Sequence, residues 1–316
     1  MSLQETLVSV HNRLKPLDEQ VRRLAELVGN PDGPGGQYVE GILRELQSRT
    51  GLRQCIDEAL PLLLARREAR KLVLERLSRE EQEVGEFRAD GPSSDGLDRR
   101  ALRDARRIVA FQAWIAATWS GYDILTEVLH TWLLEEPGEK APRGGEFPDL
   151  LGAEDVRGGL SNLERRLGLG VVKSLRAQYG WGVSLAYLIR NCLLHNGGWR
   201  ANRQMFRGMP EHGYDLADDD YRLLLEKCAK DHRLRQREFL RPQEHPQSKD
   251  LAKLLDACFA DADACMGKLL DWAVAQLERQ VHDVADAVRW RLEGGDEGNA
   301  FGGDSDPPGP LHPVGG

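Results

Sequence analysis

The sequence predicts an all-α protein: a helical bundle with an additional helical region ahead of it. Three observations carry this expectation. Apolar residues recur at three- and four-residue intervals over long stretches, as on the buried face of a helix. No segment alternates apolar and polar residues in the manner of a half-buried strand. Clusters of Gly, Pro, Asn and Ser separate the periodic stretches and punctuate the chain into helices.

The first element is a seam of Leu3, Leu7, Val10, Leu14, Leu17, Val21, Leu24 and Val28, alternating steps of four and three. Pro16 interrupts it, so either the helix kinks there or a second helix begins with Pro16 in its first turn. The seam serves either intramolecular packing or a dimerising coiled coil. Asn30 to Gly36 breaks the pattern, and helices are expected near 37–49 and 53–88. The polar run Ala89–Gly96 is the best domain boundary, dividing an N-terminal helical region, 1–90, from a bundle spanning 97–293.

The bundle opens with a helix over about 97–135. Its middle, Ile108 to Trp119, is apolar nearly all round, which implies burial on several sides. Further on, Ser120, Asp123, Glu127 and His130 share a polar stripe, either a solvated face or a row of supports for a nearby site. Helices follow near 153–168, 170–196, 218–239 and 248–293. The residues 294–316 are rich in Gly, Asp and Pro and are expected to be a disordered tail.

Composition narrows the function classes. With 41% hydrophobic and 30% charged residues the chain is globular. A net charge of −8 excludes a global basic field, so any nucleic-acid site must be a local patch. The five cysteines are odd in number and scattered without a C-x-x-C pair, which argues for reduced thiols, a cytoplasmic setting and no zinc site. Cys258 and Cys265 are seven apart on one helix face, as buried core cysteines often are. The N-terminal residues lack a signal-sequence pattern, and no run of 18 apolar residues exists to span a bilayer. Glycine-rich phosphate loops and G-x-S-x-G elbows are absent, which argues against nucleoside triphosphatases and α/β hydrolases.

One motif carries chemistry. The 170–196 helix ends Arg190-Asn191-Cys192-Leu193-Leu194-His195, with the terminators Gly197 and Gly198 just beyond. Asn191 and His195, four apart, fall on one face, and the long side chain of Arg190 can swing to join them. A helix C-terminus favours protonated histidine, and histidine titrates near neutrality. Arginine stays charged and binds phosphate bidentately. The set suits cleavage of an RNA phosphodiester: His195 moving protons at the 2′-hydroxyl or leaving oxygen, Arg190 steadying charge on phosphate, Asn191 orienting either. No metal is required. Arg207 to His212 matches the bare spacing but contains Gly208 and Pro210 and lacks the apolar helix and the Asn after the Arg. The other reading of the motif is structural: a buried arginine paired to a carboxylate, plus a capping histidine.

Arg190-Asn191-x-x-x-His195 at the end of a helix in an all-helical bundle resembles the signature of the HEPN superfamily, over about 97–293. The resemblance implies a bundle of four or more helices that dimerises, with the two motifs meeting across the interface in one metal-independent endoribonuclease site. Arg190 and His195 match the defining positions, and Asn191 the polar position after the arginine. Many members are toxins or antiphage effectors; others have lost activity and serve as binding or dimerising modules. On this reading the partners are RNA, a second copy of the chain, and an inhibitory or activating protein acting through residues 1–90; no cofactor is expected. Arg200, Arg203 and Arg207, interleaved with Trp199 and Phe206, are the candidate RNA-binding residues, and a second basic run extends from Lys227 to Arg241. An ordinary charged surface is the alternative for both.

Overall fold

The structure is a computed structural model and describes residues 2–28, 34–51, 53–87, 94–133, 147, 169–191, 222 and 250–292. All of those residues but Ser2 and Asp250 are helical, with no strand among them, so the fold is an all-α helical bundle. In chain order the helices are α1 (Leu3–Val28), α2 (Pro34–Gly51), α3 (Arg53–Phe87), α4 (Ser94–Leu133), α5 (Leu169–Leu175), one π-helical turn (Arg176–Gly180), α6 (Trp181–Arg190) and α7 (Leu251–Leu292). The expected helices near 153–168 and 218–239 and the tail 294–316 lie outside the described residues, apart from Arg222.

Helix α1 starts with a reciprocal cap. The Glu5 backbone N–H donates to Ser2 Oγ at 3.3 Å, and the Ser2 N–H donates to Glu5 Oε2 at 2.7 Å. From there Leu3, Leu7, Val10, Leu14, Leu17, Val21 and Leu24 are buried along one seam, which is spent on packing within the chain against α7, α2 and α3. The helix runs unbroken through Pro16, settling the choice between one helix and two. The physical reason is placement. Pro16 and Asn12, whose carbonyl loses its N–H partner, both face solvent, where water can satisfy the carbonyl. Pro16→Ala restores that bond and should raise the unfolding free energy by about 1 kcal/mol, read from the urea midpoint.

Helices α3 and α4 pack along one another, with Gly121 of α4 facing Leu62 and Leu63 of α3. Helix α7 is capped by Asp250, whose Oδ1 accepts the N–H groups of Ala252 (2.9 Å) and Lys253 (3.2 Å). It lies against α1, α4 and α6, so helices from both sides of the Ala89–Gly96 run contribute to one hydrophobic core. Arginines of the early helices reach acids spaced along one face of α7. Arg13 grips Glu278 bidentately at 2.8 and 2.7 Å, Arg66 meets Asp263 at 2.7 Å, and Arg70 meets Asp256 at 2.6 Å.

The apolar middle of α4 is only partly enclosed: Phe111, Trp114, Ile115 and Trp119 are buried, but Val109 is 64% exposed. Cys258 and Cys265 are buried, and burial pushes the Cys265 thiol up to about 12, which leaves it inert near neutrality. No helix among the described residues is long and apolar enough to cross a membrane.

Candidate functional site

The site is built at the end of α6. That helix is buried nearly all round, with Trp181, Val183, Leu185, Ala186, Tyr187 and Ile189 in the core. Its entry is the π turn Arg176–Gly180, which advances the helix phase, so the faces presented by Tyr187 and Arg190 differ from those of an uninterrupted α-helix. At its exit, the Asn191 N–H bonds the carbonyls of Tyr187 and Leu188.

The Arg190 guanidinium lies over two aromatic rings at cation–π distance. Its central carbon lies 5.3 Å from the ring centroid of Trp119 and 5.8 Å from that of Tyr187. Tyr187 is three residues back on the same helix face, while Trp119 comes from α4. The two rings meet edge to face with centroids 5.7 Å apart. Two polar groups lie near it. Nη1 donates to Asn191 Oδ1 at 3.4 Å, and Nη2 lies 3.8 Å from Asp123 Oδ2. The Arg190 side chain is only 13% exposed, whereas that of Asp123 is 47% exposed.

A second layer braces the first. Trp119 packs edge to face on Tyr122, 5.5 Å between centroids. The Tyr122 hydroxyl donates to Asp263 Oδ1 at 2.6 Å, which also accepts the 2.7 Å hydrogen bond from Arg66. Burial, reinforced by the charge of Asp263, holds the Tyr122 hydroxyl well above its ordinary pKa, so it stays a donor.

Of the residues singled out in the sequence, the structure brings Arg190, Asn191 and Asp123 together. Asp123 is the member of the Ser120–His130 stripe that reaches Arg190. His195, Arg200, Arg203 and Arg207 lie outside the described residues, as do Cys192, Trp199, Phe206 and the Lys227–Arg241 run. Trp119 and Tyr187 were not anticipated as site residues. Tyr187 had a legible signal, an aromatic one turn before the arginine; Trp119 had none, since its contact depends on how α4 packs. No group of three or more His, Cys, Asp or Glu side chains able to hold a metal ion occurs among the described residues.

Chemically, the arrangement is a largely desolvated guanidinium held over two aromatic rings beside a carboxylate and an amide. Comparison with protein-family models, curated proteins and solved structures finds no match to this chain.

Proposed function

We propose that the chain is a HEPN-type, metal-independent endoribonuclease, acting as a homodimer in the cytoplasm of a prokaryote, as a toxin or antiphage effector. The supporting observation is that Arg190 and Asn191 sit together at the last described residues of a buried helix, the guanidinium over two rings and beside polar neighbours, and His195 follows five residues after Arg190 in the sequence. In this reading Arg190 steadies the charge that develops on the phosphodiester and His195 transfers protons at the 2′-hydroxyl and leaving oxygen. Two copies of the motif across an interface divide the acid and base roles that one histidine fills poorly alone. Arg200, Arg203 and Arg207 bind the RNA backbone. An inhibitory or activating protein engages residues 1–90.

The test is cleavage of total RNA and tRNA, in EDTA, by wild type, Arg190→Ala and His195→Ala. Each substitution should lower the cleavage rate about a hundredfold or more. Cleavage at the wild-type rate by His195→Ala rejects the assignment, and so does a strict requirement for added metal.

A second reading is a catalytically silent bundle that dimerises or binds a partner in a defence or toxin–antitoxin complex. The low exposure of Arg190 and its pairing with Asp123 favour it. Here Arg190→Ala would destabilise the fold without relieving any toxicity of expression in a bacterial host. In the enzyme reading the same variant relieves toxicity.

A further inference from the structure

We infer that Arg66 of α3 is a positioning residue for the Arg190 site, acting through Asp263, Tyr122 and Trp119, and that this route lets residues 1–90 regulate the motif. The effect on RNA cleavage rests on the ribonuclease reading above; the linkage between α3 and Trp119 does not. Three observations carry it. First, the route begins at one shared atom. Asp263 Oδ1 accepts from Arg66 Nη1 at 2.7 Å and from the Tyr122 hydroxyl at 2.6 Å, its only hydrogen bonds among the described residues. Second, Tyr122 has an alternative acceptor. The Phe259 carbonyl lies 3.4 Å from its hydroxyl, so the hydroxyl can turn to the backbone when Asp263 moves. Third, Trp119 has no hydrogen bond of its own to hold it. Its Nε1 is buried without a hydrogen-bond partner among the described residues. The ring is placed by edge-to-face packing on Tyr122 and Tyr187, 5.5 and 5.7 Å between centroids, and so follows Tyr122.

A close-packed interior passes a displacement on rather than absorbing it. Of the four linked residues, Arg66 is the one within residues 1–90, and its side chain is 18% exposed. A protein that engages α3 and draws Arg66 off Asp263 moves the acceptor of the Tyr122 hydroxyl. The Tyr122 ring shifts with it, and then Trp119, whose ring centroid is 5.3 Å from the Arg190 guanidinium. Arg70, one turn along α3, supplies the contrast. It bonds Asp256 of α7 at 2.6 and 2.8 Å but makes no hydrogen bond to Tyr122.

The experiment is a double-mutant cycle on the full-length chain: Arg66→Gln, Tyr122→Phe and the two combined, with Arg70→Gln beside them. Phenylalanine keeps the ring of Tyr122 and cuts its link to Asp263. Two readouts are taken: the kinetics of RNA cleavage, and the fluorine NMR resonance of Trp119 in fluorotryptophan-labelled protein, assigned by Trp119→Phe. Arg66→Gln should lower kcat about three- to tenfold, change KM less than about twofold, and shift the Trp119 resonance. In the Tyr122→Phe background the same substitution should change neither readout, because the link is already cut. Arg70→Gln, which breaks an α3–α7 bridge off the route, should leave both at their wild-type values. Should Arg66→Gln fail to fold, Arg66→Lys, which keeps the charge but loses the planar fork, takes its place in the cycle. An Arg66 effect of equal size in both backgrounds overturns the route and leaves the ribonuclease reading intact. A wild type that cleaves no RNA removes the ribonuclease reading, and the fluorine cycle then decides the linkage alone. A shift confined to the background with Tyr122 intact supports it; a shift in both backgrounds, or in neither, overturns it.

Discussion

Arg66→Met should lower the unfolding free energy by about 3–4 kcal/mol, the largest effect expected of any single substitution considered. Arg66 joins α3 to α7 through a 2.7 Å hydrogen bond to Asp263, and its guanidinium lies 5.2 Å from the ring centroid of Phe259. The two charged side chains are only 18% and 22% exposed. Burial works against the arginine charge, yet Tyr122 and Asp263 more than offset this and raise its pKa above the ordinary guanidinium value. Methionine fills similar space but strands Asp263 in the core with the Tyr122 hydroxyl as its remaining described partner. The double variant Arg66→Met/Asp263→Leu should recover most of the loss, since removing both charges also removes their desolvation cost. Urea midpoints with unchanged m-values give the numbers. A loss under about 1 kcal/mol would place the pair with ordinary surface salt bridges and contradict the burial argument.

The second large effect concerns the α6–α7 contact. A Cβ built on Gly182 would stand 2.5 Å from Cβ and 2.9 Å from Cγ of Asp261. The Asp261 Cβ is tied to its backbone and cannot swing away, so a side chain at position 182 forces the helices apart. Gly182→Val should cost about 3 kcal/mol. Gly182→Ala should cost about 1–2, because alanine's better helix propensity offsets part of the strain. The same contact predicts a pH dependence. Burial raises the Asp261 carboxyl from 3.8 to about 6. The folded state therefore holds this proton more tightly than the unfolded chain does. Its contribution to stability is full below pH 3.8 and is lost as pH rises through about 6. Asp261→Asn should remove this slope and stabilise the protein at pH 7.5 by about 1 kcal/mol, solvent on the open side of the carboxyl screening the rest. Equal pH profiles for wild type and Asp261→Asn, measured by urea unfolding between pH 5 and 7.5, would discount the effect.

How much of this was legible in the sequence follows from which forces are local. The α1 seam was readable because period and burial coincide: the Leu3–Leu24 positions are the buried ones. Helix class and most boundaries followed for the same reason, and so did the buried pair Cys258 and Cys265. The passage of α1 through Pro16 was not decided by the sequence, since a proline's cost depends on whether the carbonyl it orphans faces water. The π turn at Arg176–Gly180 has no compositional signal at all. At the candidate site, the Arg190–Asn191 adjacency could be read directly, and Asp123 stood out only as one of four polar residues on a stripe. Trp119 read as part of an apolar run. Its place beneath Arg190 comes from the crossing of α4 and α6, a long-range fact that no local pattern encodes.

The pairing of α1 with α7 has a consequence for synthesis. Arg13 and its partner Glu278 are 265 residues apart in the chain. The α1 seam therefore stays uncovered on one side until nearly all of the intervening polypeptide has left the ribosome. Contacts of such sequence separation delay folding, because chain closure must precede the burial that rewards it. During elongation the early helices expose Leu7, Val10 and Leu14 to solvent and offer chaperones a binding surface. The completed core, and with it the bracing of Trp119 through Tyr122 and Asp263 of α7, comes into being only once that last long helix has emerged. Such an order of events withholds the braced surroundings of Arg190 from the unfinished chain.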